Sequence, residues 1–346
     1  MILAALRDLQ WRRRRFAVTV SGIAVLFALT VVWAGLASTF DREAEETVGL
    51  VKADGWAVQA DAAGPFIGAK PMAETTVDEV AALDGVEEAD TFAFGRLTLA
   101  DGRDVNLFGV TPGGVGAPTD IDGRPIESDG EVVASTEFGL EVGDTLTLGE
   151  IDLEVVGTAA DSTALAGIPN AFITVADTQA LVFAGQPIVT AVAMRGTPNG
   201  TLAGVRLLGS DAALEDLLRP MRDASDAITF LSILLWLVAA IIVGSVMYLS
   251  ATERTRDFAV FKATGSSSAA IAGGLIAQAV VLSLAAAALA GVLAALLAPM
   301  FPIRVVISPL SYAALPLVAV AVGVVASLAG VRRVTTVDPA MAFVGP

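Results

Sequence analysis

Histidine and cysteine are both absent from this 346-residue chain. Without histidine the chain cannot build a Ser-His-Asp triad, an HExxH zinc site or a histidine-ligated haem. Without cysteine the chain cannot form a disulfide, so any globular part must be stabilised by its own hydrophobic core. A GxxxxGK[ST] phosphate-binding loop is also missing, because the glycines and the lysine of GPFIGAK (64–70) stand at the wrong spacing. Work driven by ATP would therefore require a second protein.

Charged residues are missing from four long stretches of the chain. Hydrophobic residues make up 55% of the sequence and charged residues only 17%, and the stretches without charge are 16–40, 227–252, 263–303 and 305–331. Because roughly 20 apolar residues suffice to span a bilayer as a helix, we predict four transmembrane helices, at 16–40, 227–252, 269–299 and 311–331. A short outer loop, 300–310, separates the last two, since Pro299, Pro302 and Arg304 are turn and boundary signals.

The absence of charged residues from the spans also argues against some classes of membrane protein. Ionisable residues inside a membrane usually mark ion paths or proton relays, so spans without them argue against a channel or a proton-coupled carrier. Glycine and alanine are dense in the third span, which favours closely packed helices over a wide pore. The first apolar run is also longer than the roughly 7–15 residues of a signal-peptide core, which favours a transmembrane helix there.

The charges that are present predict the orientation. Segments 1–15, 253–262 and 332–346 together carry ten basic and four acidic residues, whereas 41–226 carries 10 basic and 33 acidic residues. Short cytoplasmic segments favour Lys and Arg. We therefore expect a bacterial plasma-membrane protein with both termini in the cytoplasm, where an amphipathic N-terminal segment (1–15), a loop (253–268) and a tail (332–346) lie.

Segment 41–226 is predicted to be a mixed α+β domain outside the membrane, inserted between the first and second spans. Alternating apolar residues predict strands at 55–60 and 131–135, a pair of strands over 144–159 that turns at Gly149-Glu150, and a hairpin over 96–110 that turns at Asp101-Gly102. Helices are expected at 76–86, near 176–184 and over 211–228. Pro220 is expected to kink or break the last of these helices. The fold class is thus an α-helical membrane protein with four transmembrane helices and one inserted α+β domain.

A short charged segment, TERTRDFAVFKATGSS (252–267), lies between two highly apolar tracts. Gly265 is placed to end a helix in the left-handed conformation, and Phe258 and Phe261 share a helix face. One interpretation is an anchor at the membrane surface. The other is a docking helix that enters a groove on a cytoplasmic partner, and the mixture of acidic and basic residues favours it.

Several segments resemble one family in the right order. ERTRDFAVFKATGS (253–266) is similar to a stretch of FtsX-like, MacB-type ABC transporter permeases, and LRDLQWRRRRFAVTVSGIAV (6–25) looks like their cytoplasmic elbow and first span. IDGRPIESDGEVVASTEFGLEVGDTLTLGEIDLEVVGTAAD (121–161) resembles their extracytoplasmic core domain, and VRRVTTVDPAMAFVG (331–345) resembles their tail. GIPNAFITVADTQALVFAGQPIVTAV (167–192) is closest to the small DevC-like and HrtB-like permeases of that family.

The resemblance implies a permease homodimer that works with a cytoplasmic ABC ATPase dimer, which binds ATP and Mg²⁺, while this chain itself holds no cofactor and no metal. It implies outward expulsion of a hydrophobic or amphipathic substrate, lipid-like or haem-like, by mechanotransmission, with membrane lipids around the spans and no nucleic acid as partner. The docking residues carried over are Glu253, Arg254, Arg256, Asp257, Phe258, Phe261, Lys262 and Gly265.

Four aromatic residues near the outer halves of the spans are candidates for walls of a substrate cavity: Trp33, Phe40, Phe230 and Trp236. Aromatic belts at membrane interfaces are the alternative explanation. An alternative function is an FtsX-like mechanotransmitting regulator whose outer domain binds an extracytoplasmic envelope protein. A membrane enzyme is disfavoured, since no nucleophile and base pair is visible.

Overall fold

The computed structural model describes residues 13–301 and 304–335. The chain forms two compact units, one of Thr39–Ala224 and the other of the residues before and after it. We call the first the outer unit, after the location predicted for segment 41–226, and the second the membrane unit. Most of the predicted segment 1–15, most of the tail 332–346 and Pro302 lie outside the described residues.

Within residues 13–301 and 304–335, four helices are long and apolar enough to cross a membrane, so the prediction of four spans is confirmed and the protein is a multi-pass membrane protein. These four are α1, α4, α6 and α7 of the following set: α1 (Arg13–Val51), α2 (Thr76–Ala81), α3 (Val175–Val182), α4 (Ser210–Glu253), α5 (Thr255–Ala263), α6 (Ser268–Leu297) and α7 (Pro309–Thr335).

Helices α1 and α4 extend well beyond the charge-free tracts. Their polar extensions, 41–51 in α1 and 210–226 in α4, continue the helices because these segments bury alanine, valine and leucine side chains in the outer unit. Helix α4 continues through Pro220, so of the kink or break expected at this residue the break does not occur. The proline removes one backbone N–H from the helix ladder, and the packed residues on its N-terminal side, such as Leu217, hold the helix in place.

The membrane unit is packed through small residues. Helix α6 buries a row of alanines, among them Ala279, Ala286 and Ala290, in a core shared with Phe27 of α1. A Cβ atom on Gly323 of α7 would lie 2.9 Å from a backbone Cα atom of α6. Lipid tails are as apolar as the helices, so close approach of this kind, rather than the hydrophobic effect, holds membrane helices together.

The outer unit is built on an eleven-stranded mixed sheet with a separate two-stranded ribbon. The strand order is β13-β1-β12-β3-β4-β10-β6-β8-β5, with β7 beside β8 and β9 beside β10, while β2 and β11 form the ribbon. The strands are β1 (Gly55–Gln59), β2 (Met72–Ala73), β3 (Asp84–Thr98), β4 (Asp104–Val110), β5 (Asp122–Gly123), β6 (Glu131–Ser135), β7 (Thr145–Leu148), β8 (Ile151–Ala159), β9 (Thr163–Ala164), β10 (Ile168–Thr174), β11 (Ile188–Val189), β12 (Ala191–Asn199) and β13 (Val205–Gly209).

The sheet buries a different core on each face. Because side chains alternate along a strand, Leu107 packs on one face among aliphatic residues, and its neighbour Phe108 packs on the other. The face of Phe108 holds a cluster of aromatic rings that includes Trp56 and Phe172. The outer parts of α1 and α4 cover this aromatic face, with Ala44 among the side chains that they contribute.

Local sequence signals located most of these elements. The hairpin at Asp101-Gly102 is confirmed, since β3 and β4 pair across it and Gly102 has a φ of +85°. The predicted strand 131–135 coincides with β6. The helix predicted over 76–86 is wrong in its second half: α2 stops at Ala81, and the chain enters β3 at Asp84 because residues from 84 onward pair with β12.

Candidate functional site

Helix α5 forms the short charged segment between α4 and α6. Arg254 breaks the helical path with φ −110° and ψ 18°, and α5 then begins at Thr255. Asp257 lies in the first turn and Lys262 in the last. This placement sets a negative charge at the positive end of the helix dipole and a positive charge at the negative end, which stabilises a helix of this length.

The end of α5 is defined by backbone hydrogen bonds. Gly265 has a φ of +95°, its N–H donates to the Lys262 carbonyl at 3.0 Å, and the N–H of Ser266 donates to the Phe261 carbonyl at 2.8 Å. These two bonds form a Schellman motif, which requires a left-handed residue and favours glycine. The prediction that Gly265 ends the helix in this conformation is therefore confirmed.

Phe258 faces the interior of the membrane unit. Only 4% of its surface is exposed, and it packs with Ala251 of α4 and with Ile271 and Leu275 of α6. Phe261 is partly buried against the same cluster. The sequence analysis put both rings on one helix face, and the structure uses that face to join α5 to its own neighbours through the buried Phe258 ring, while Phe261 keeps part of its surface exposed.

The Arg254 side chain lies over this joint. Its guanidinium carbon is 5.6 Å from the centre of the Phe258 ring, and its Nε is 3.5 Å from Oδ2 of Asp257. A cation over an aromatic face is attracted by the ring quadrupole. Arg254 therefore helps to hold the start of α5 against Phe258.

The opposite face of α5 is exposed. This face, which we call the α5 strip, combines one positive charge, one negative charge and a small apolar patch, and it consists of Arg256, Asp257, Val260, Ala263 and Thr264. Its spacing of i, i+1, i+4, i+7 and i+8 keeps all five residues within one sector of the helix. Such a strip can contact a protein surface through both charge pairing and apolar contact.

The remaining predicted docking residues lie around the strip. Glu253 is exposed at the end of α4 and accepts a hydrogen bond from Nη1 of Arg15 in α1 at 2.8 Å. Lys262 is half-buried, and Gly265 is exposed at the turn. The partly exposed ion pair of Arg15 and Glu253 is worth at most about 1 kcal/mol. It therefore contributes little to stability and serves mainly to orient the end of α4 against α1.

The four aromatic cavity candidates do not share one environment. Phe40 is buried within the outer unit, and Phe230 of α4 is exposed. Trp33 is half-buried, and Trp236 packs against the core of the membrane unit. All four were predicted near the outer halves of the first two spans, but they differ in how deeply their side chains are buried.

A groove on the membrane unit was not identified from the sequence. It has a volume of about 690 Å³ and lies between α4 and α7, where its walls include Ile241, Gly244 and Tyr248 of α4 and Val325 and Ala329 of α7. Helix α4 is also the least covered of the spans, since 22% of its most apolar stretch is buried against 33–44% for the others. A helix that is apolar all round gives no signal of which side faces a neighbour, so sequence periodicity could not have located the groove.

Comparison with solved structures includes a weak likeness to a transporter domain. The chain resembles the crystal structure of the extracellular domain of the noncanonic ABC-type transporter YknZ from Gram-positive bacteria, at 18% identity and a TM-score of 0.29. The match covers 36% of this chain and 73% of that structure.

Comparison with known sequences gives a stronger result. Residues 229–339 match the family model described as FtsX-like permease C-terminal. Proteins of Mycobacterium bovis and Mycobacterium tuberculosis, both named as uncharacterized ABC transporter permeases, are 45% identical over the full length of both chains. A second permease of Mycobacterium tuberculosis is 43% identical over the same extent. The chain therefore belongs to the FtsX-like family of ABC transporter permeases.

Proposed function

We propose that this permease is the membrane subunit of an ABC exporter and that the α5 strip is where its ATPase docks. The observation that carries the proposal is a charged helix whose inner face is fixed to two membrane helices through Phe258 while its outer face stays exposed. In this proposal ATP and Mg²⁺ bind to the partner ATPase dimer, which agrees with the missing phosphate loop. A force on the strip would reach α4 and α6 through the Phe258 cluster.

The orientation in this proposal places both termini and α5 in the cytoplasm. Its support is the basic excess of the segments around the spans and the acidic excess of 41–226. The absence of cysteine makes a direct test simple, because a single introduced cysteine is the only thiol. In intact cells an impermeant maleimide should label Val142→Cys and should not label Thr264→Cys. The reverse labelling would refute the orientation.

We further propose that two permease chains pair through α4. The support is the exposed apolar face of this helix together with the groove that it shares with α7. In the single-cysteine background, Ile241→Cys should form a disulfide-linked dimer in native membranes, whereas Leu296→Cys on α6 should not. Lipid covering α4 in place of a second copy would leave both variants monomeric and would overturn this pairing.

The proposed cargo is hydrophobic or amphipathic. Spans without charged residues suit a substrate that enters from the membrane, since apolar walls do not have to desolvate ions. Trp33, Phe230 and Trp236 remain candidates for such walls on the first two spans. Outward expulsion driven by movement of the membrane helices is the mechanism that the family resemblance implies.

The docking proposal is tested by co-purification. An affinity-tagged chain purified from native membranes should bring an ABC ATPase with it. Val260→Glu should abolish this recovery, because Val260 is 44% exposed in the centre of the strip and a carboxylate there removes an apolar contact. Val142→Glu is the matched control, since Val142 is 54% exposed on the outer unit. Equal recovery of the ATPase with both variants would refute docking at the strip.

Phe258→Ala separates docking from transmission. Because the ring is buried, its loss should destabilise the joint by about 3–5 kcal/mol, while the residues of the strip are unchanged. We expect this variant to retain the ATPase and to lose the stimulation of ATP hydrolysis by the permease. Normal stimulation would count against the transmission role, and would favour the alternative that the chain regulates an extracytoplasmic partner by another route.

A further inference from the structure

The outer unit contains a pocket that is separate from the membrane groove. Its volume is about 420 Å³, and its apolar walls come from four distant parts of the chain: Phe66 and Ile67, Phe94, Leu165, and Pro220 with Met221. Small-molecule sites are typically apolar pockets of roughly 300–1,000 Å³ with a few placed polar groups. Arg96 is the charged residue in the lining.

Aromatic packing fixes the floor of the pocket. The Phe66 and Phe94 rings meet edge to face with their centres 5.7 Å apart, and Phe66 makes a similar contact with Trp56 at 5.3 Å. Edge-to-face contacts of this kind orient rings as well as burying them. The floor is therefore preformed and need not be ordered by a ligand.

A strained turn forms the Leu165 wall. Leu165 and Ala166 have φ values of +58° and +70°, which L residues rarely adopt, and Gly167 follows with a φ of +87°. The N–H groups of Ala166 and Gly167 both donate to Oε2 of Glu43, each at 3.1 Å. A carboxylate in this position is held by a concave pair of N–H groups, and a strained turn that the surroundings maintain in this way is a feature of functional sites.

A second buried carboxylate holds the opposite wall. Asp216 of α4 accepts hydrogen bonds from the N–H groups of Phe66 at 2.8 Å and Gly68 at 2.9 Å. These bonds fix the turn that carries Phe66 and Ile67 against the helix that carries Pro220 and Met221. Both side walls are thus set by the chain before any ligand arrives.

Arg96 differs from most arginines of the outer unit because its charge is available. Arg103, Arg124 and Arg195 each pair with a carboxylate, at 2.7, 2.7 and 2.5 Å. Within the described part of the chain, no carboxylate lies within ion-pair distance of the exposed Arg96 side chain. A free guanidinium beside an apolar pocket complements a ligand with an apolar body and an anionic group.

We propose that this pocket binds a single-chain anionic amphiphile, with its acyl chain against Phe66, Phe94 and Leu165 and its carboxylate or phosphate at Arg96. Met221 lies on α4, the helix that continues along the chain into the charge-free tract 227–252. The proposal concerns a site in the outer unit and does not depend on ATP-driven export or on docking at the α5 strip.

The test uses the full-length chain in nanodiscs of zwitterionic phosphatidylcholine. A palmitic acid that carries a photoactivatable diazirine is added and irradiated, and the labelled peptides are identified by mass spectrometry. Peptides from the membrane spans, which contact any lipid, serve as the internal reference. The expected result is enriched labelling of the peptides that contain Ile67 or Met221, with competition by unlabelled palmitate and by hexadecyl phosphate.

Three arginine variants test the role of the charge. Arg96→Gln should lower the labelling of the pocket peptides relative to the span peptides roughly two- to fivefold, as expected for loss of one partly exposed ion pair. Arg96→Lys should keep most of it, and Arg103→Gln, in the same hairpin, should change nothing. Arg96 and Arg103 are both exposed, so none of these changes should unfold the domain.

Two controls keep the proposal falsifiable. Ile67→Trp should block the pocket by volume, and it should do so without unfolding the domain because Ile67 is at the surface. A hexadecanol with the same diazirine should label the pocket several-fold less than the acid. Equal labelling by acid and alcohol, labelling that is unaffected by Arg96→Gln, or labelling confined to the span peptides would each overturn the proposal.

Discussion

Replacing Asp216 with asparagine should loosen the attachment of one loop of the outer unit to helix α4. The aspartate side chain has no exposed surface, and each of its oxygens accepts a backbone N–H, from Phe66 and from Gly68. The loop is pressed onto this carboxylate, since a Cβ atom on Gly64 would lie 2.3 Å from its Cγ. The carboxylate can accept both bonds, whereas an asparagine side chain of the same shape has one oxygen that accepts and one nitrogen that donates.

The magnitude follows from the number of bonds that are lost. Asparagine can keep one of the two bonds and must set an N–H donor against the other N–H, which leaves a buried donor without a partner. One unsatisfied buried group, together with the loss of charge from the remaining bond, gives about 2–4 kcal/mol. For a unit of this size that corresponds to a decrease in melting temperature of about 4–15 °C.

The assay is hydrogen exchange of the full-length chain, measured by mass spectrometry on peptides that cover 61–70, with thermal unfolding measured in parallel. Glu215→Gln is the matched control, because it removes the same charge from the adjacent residue of α4, whose side chain is 61% exposed and pairs with Arg222. We expect faster exchange in 61–70 for Asp216→Asn alone. Unchanged protection, or equal effects of the two variants, would show that the buried bonds do not hold the loop.

Three further predictions follow from other contacts. Arg124 and the backbone N–H groups of Glu127 and Ser128 lower the pKa of Glu131 from 4.5 to about 2, so this carboxylate stabilises the fold fully above about pH 4.5 and loses that effect as the pH falls through 2. Arg124→Gln should therefore lower the melting temperature at pH 7 and lower it much less near pH 2, where Glu131 is half protonated; a deficit of the same size at both pH values would contradict this. Gly265→Ala should destabilise the α5 turn by about 1–2 kcal/mol. The φ of +95° is the whole cause, because no atom lies within 4 Å of the added methyl group, and Gly265→Asn should lose less stability. Equal melting temperatures of the unsubstituted chain and the two variants would refute this cause. Gly323→Leu should lower the stability of the detergent-solubilised chain by about 1–3 kcal/mol, because the larger side chain overpacks against α6. Gly273→Leu is the control and should have little effect, because no atom lies within 4 Å of a Cβ atom there. Similar losses of stability in the two variants would argue against close packing at Gly323.

Several features were predictable because they depend on neighbours in the sequence. The turn at Gly102 and the helix end at Gly265 need a left-handed residue, which glycine supplies at little cost. The four spans follow from the length of the charge-free tracts, since a bilayer has a fixed thickness. The end of α2 at Ala81 was not predictable in this way, because the pairing of β3 with β12 competes with the helical pattern of 76–86.

The two phenylalanines of α5 show what helical periodicity in the sequence cannot decide. Their spacing predicts a shared helix face. The same spacing occurs when the two rings bind a partner protein and when they pack within the core of their own chain. Only the positions of Ala251, Ile271 and Leu275 decide that Phe258 belongs to the chain's own core. The exposed strip with Val260 is consequently on the side that the sequence analysis did not emphasise.

The sequence by itself determined the membrane class, the number of spans, the inserted α+β domain and the family of this protein, because each of these depends on composition, local pattern or resemblance. Only the tertiary structure decided which face of α5 is free and that Arg96, Leu165 and Met221 line one pocket. It also decided that Glu43 and Asp216 each hold a loop more than a hundred residues away. Such contacts depend on how the strands and helices pack, and no pattern between neighbouring residues encodes them directly.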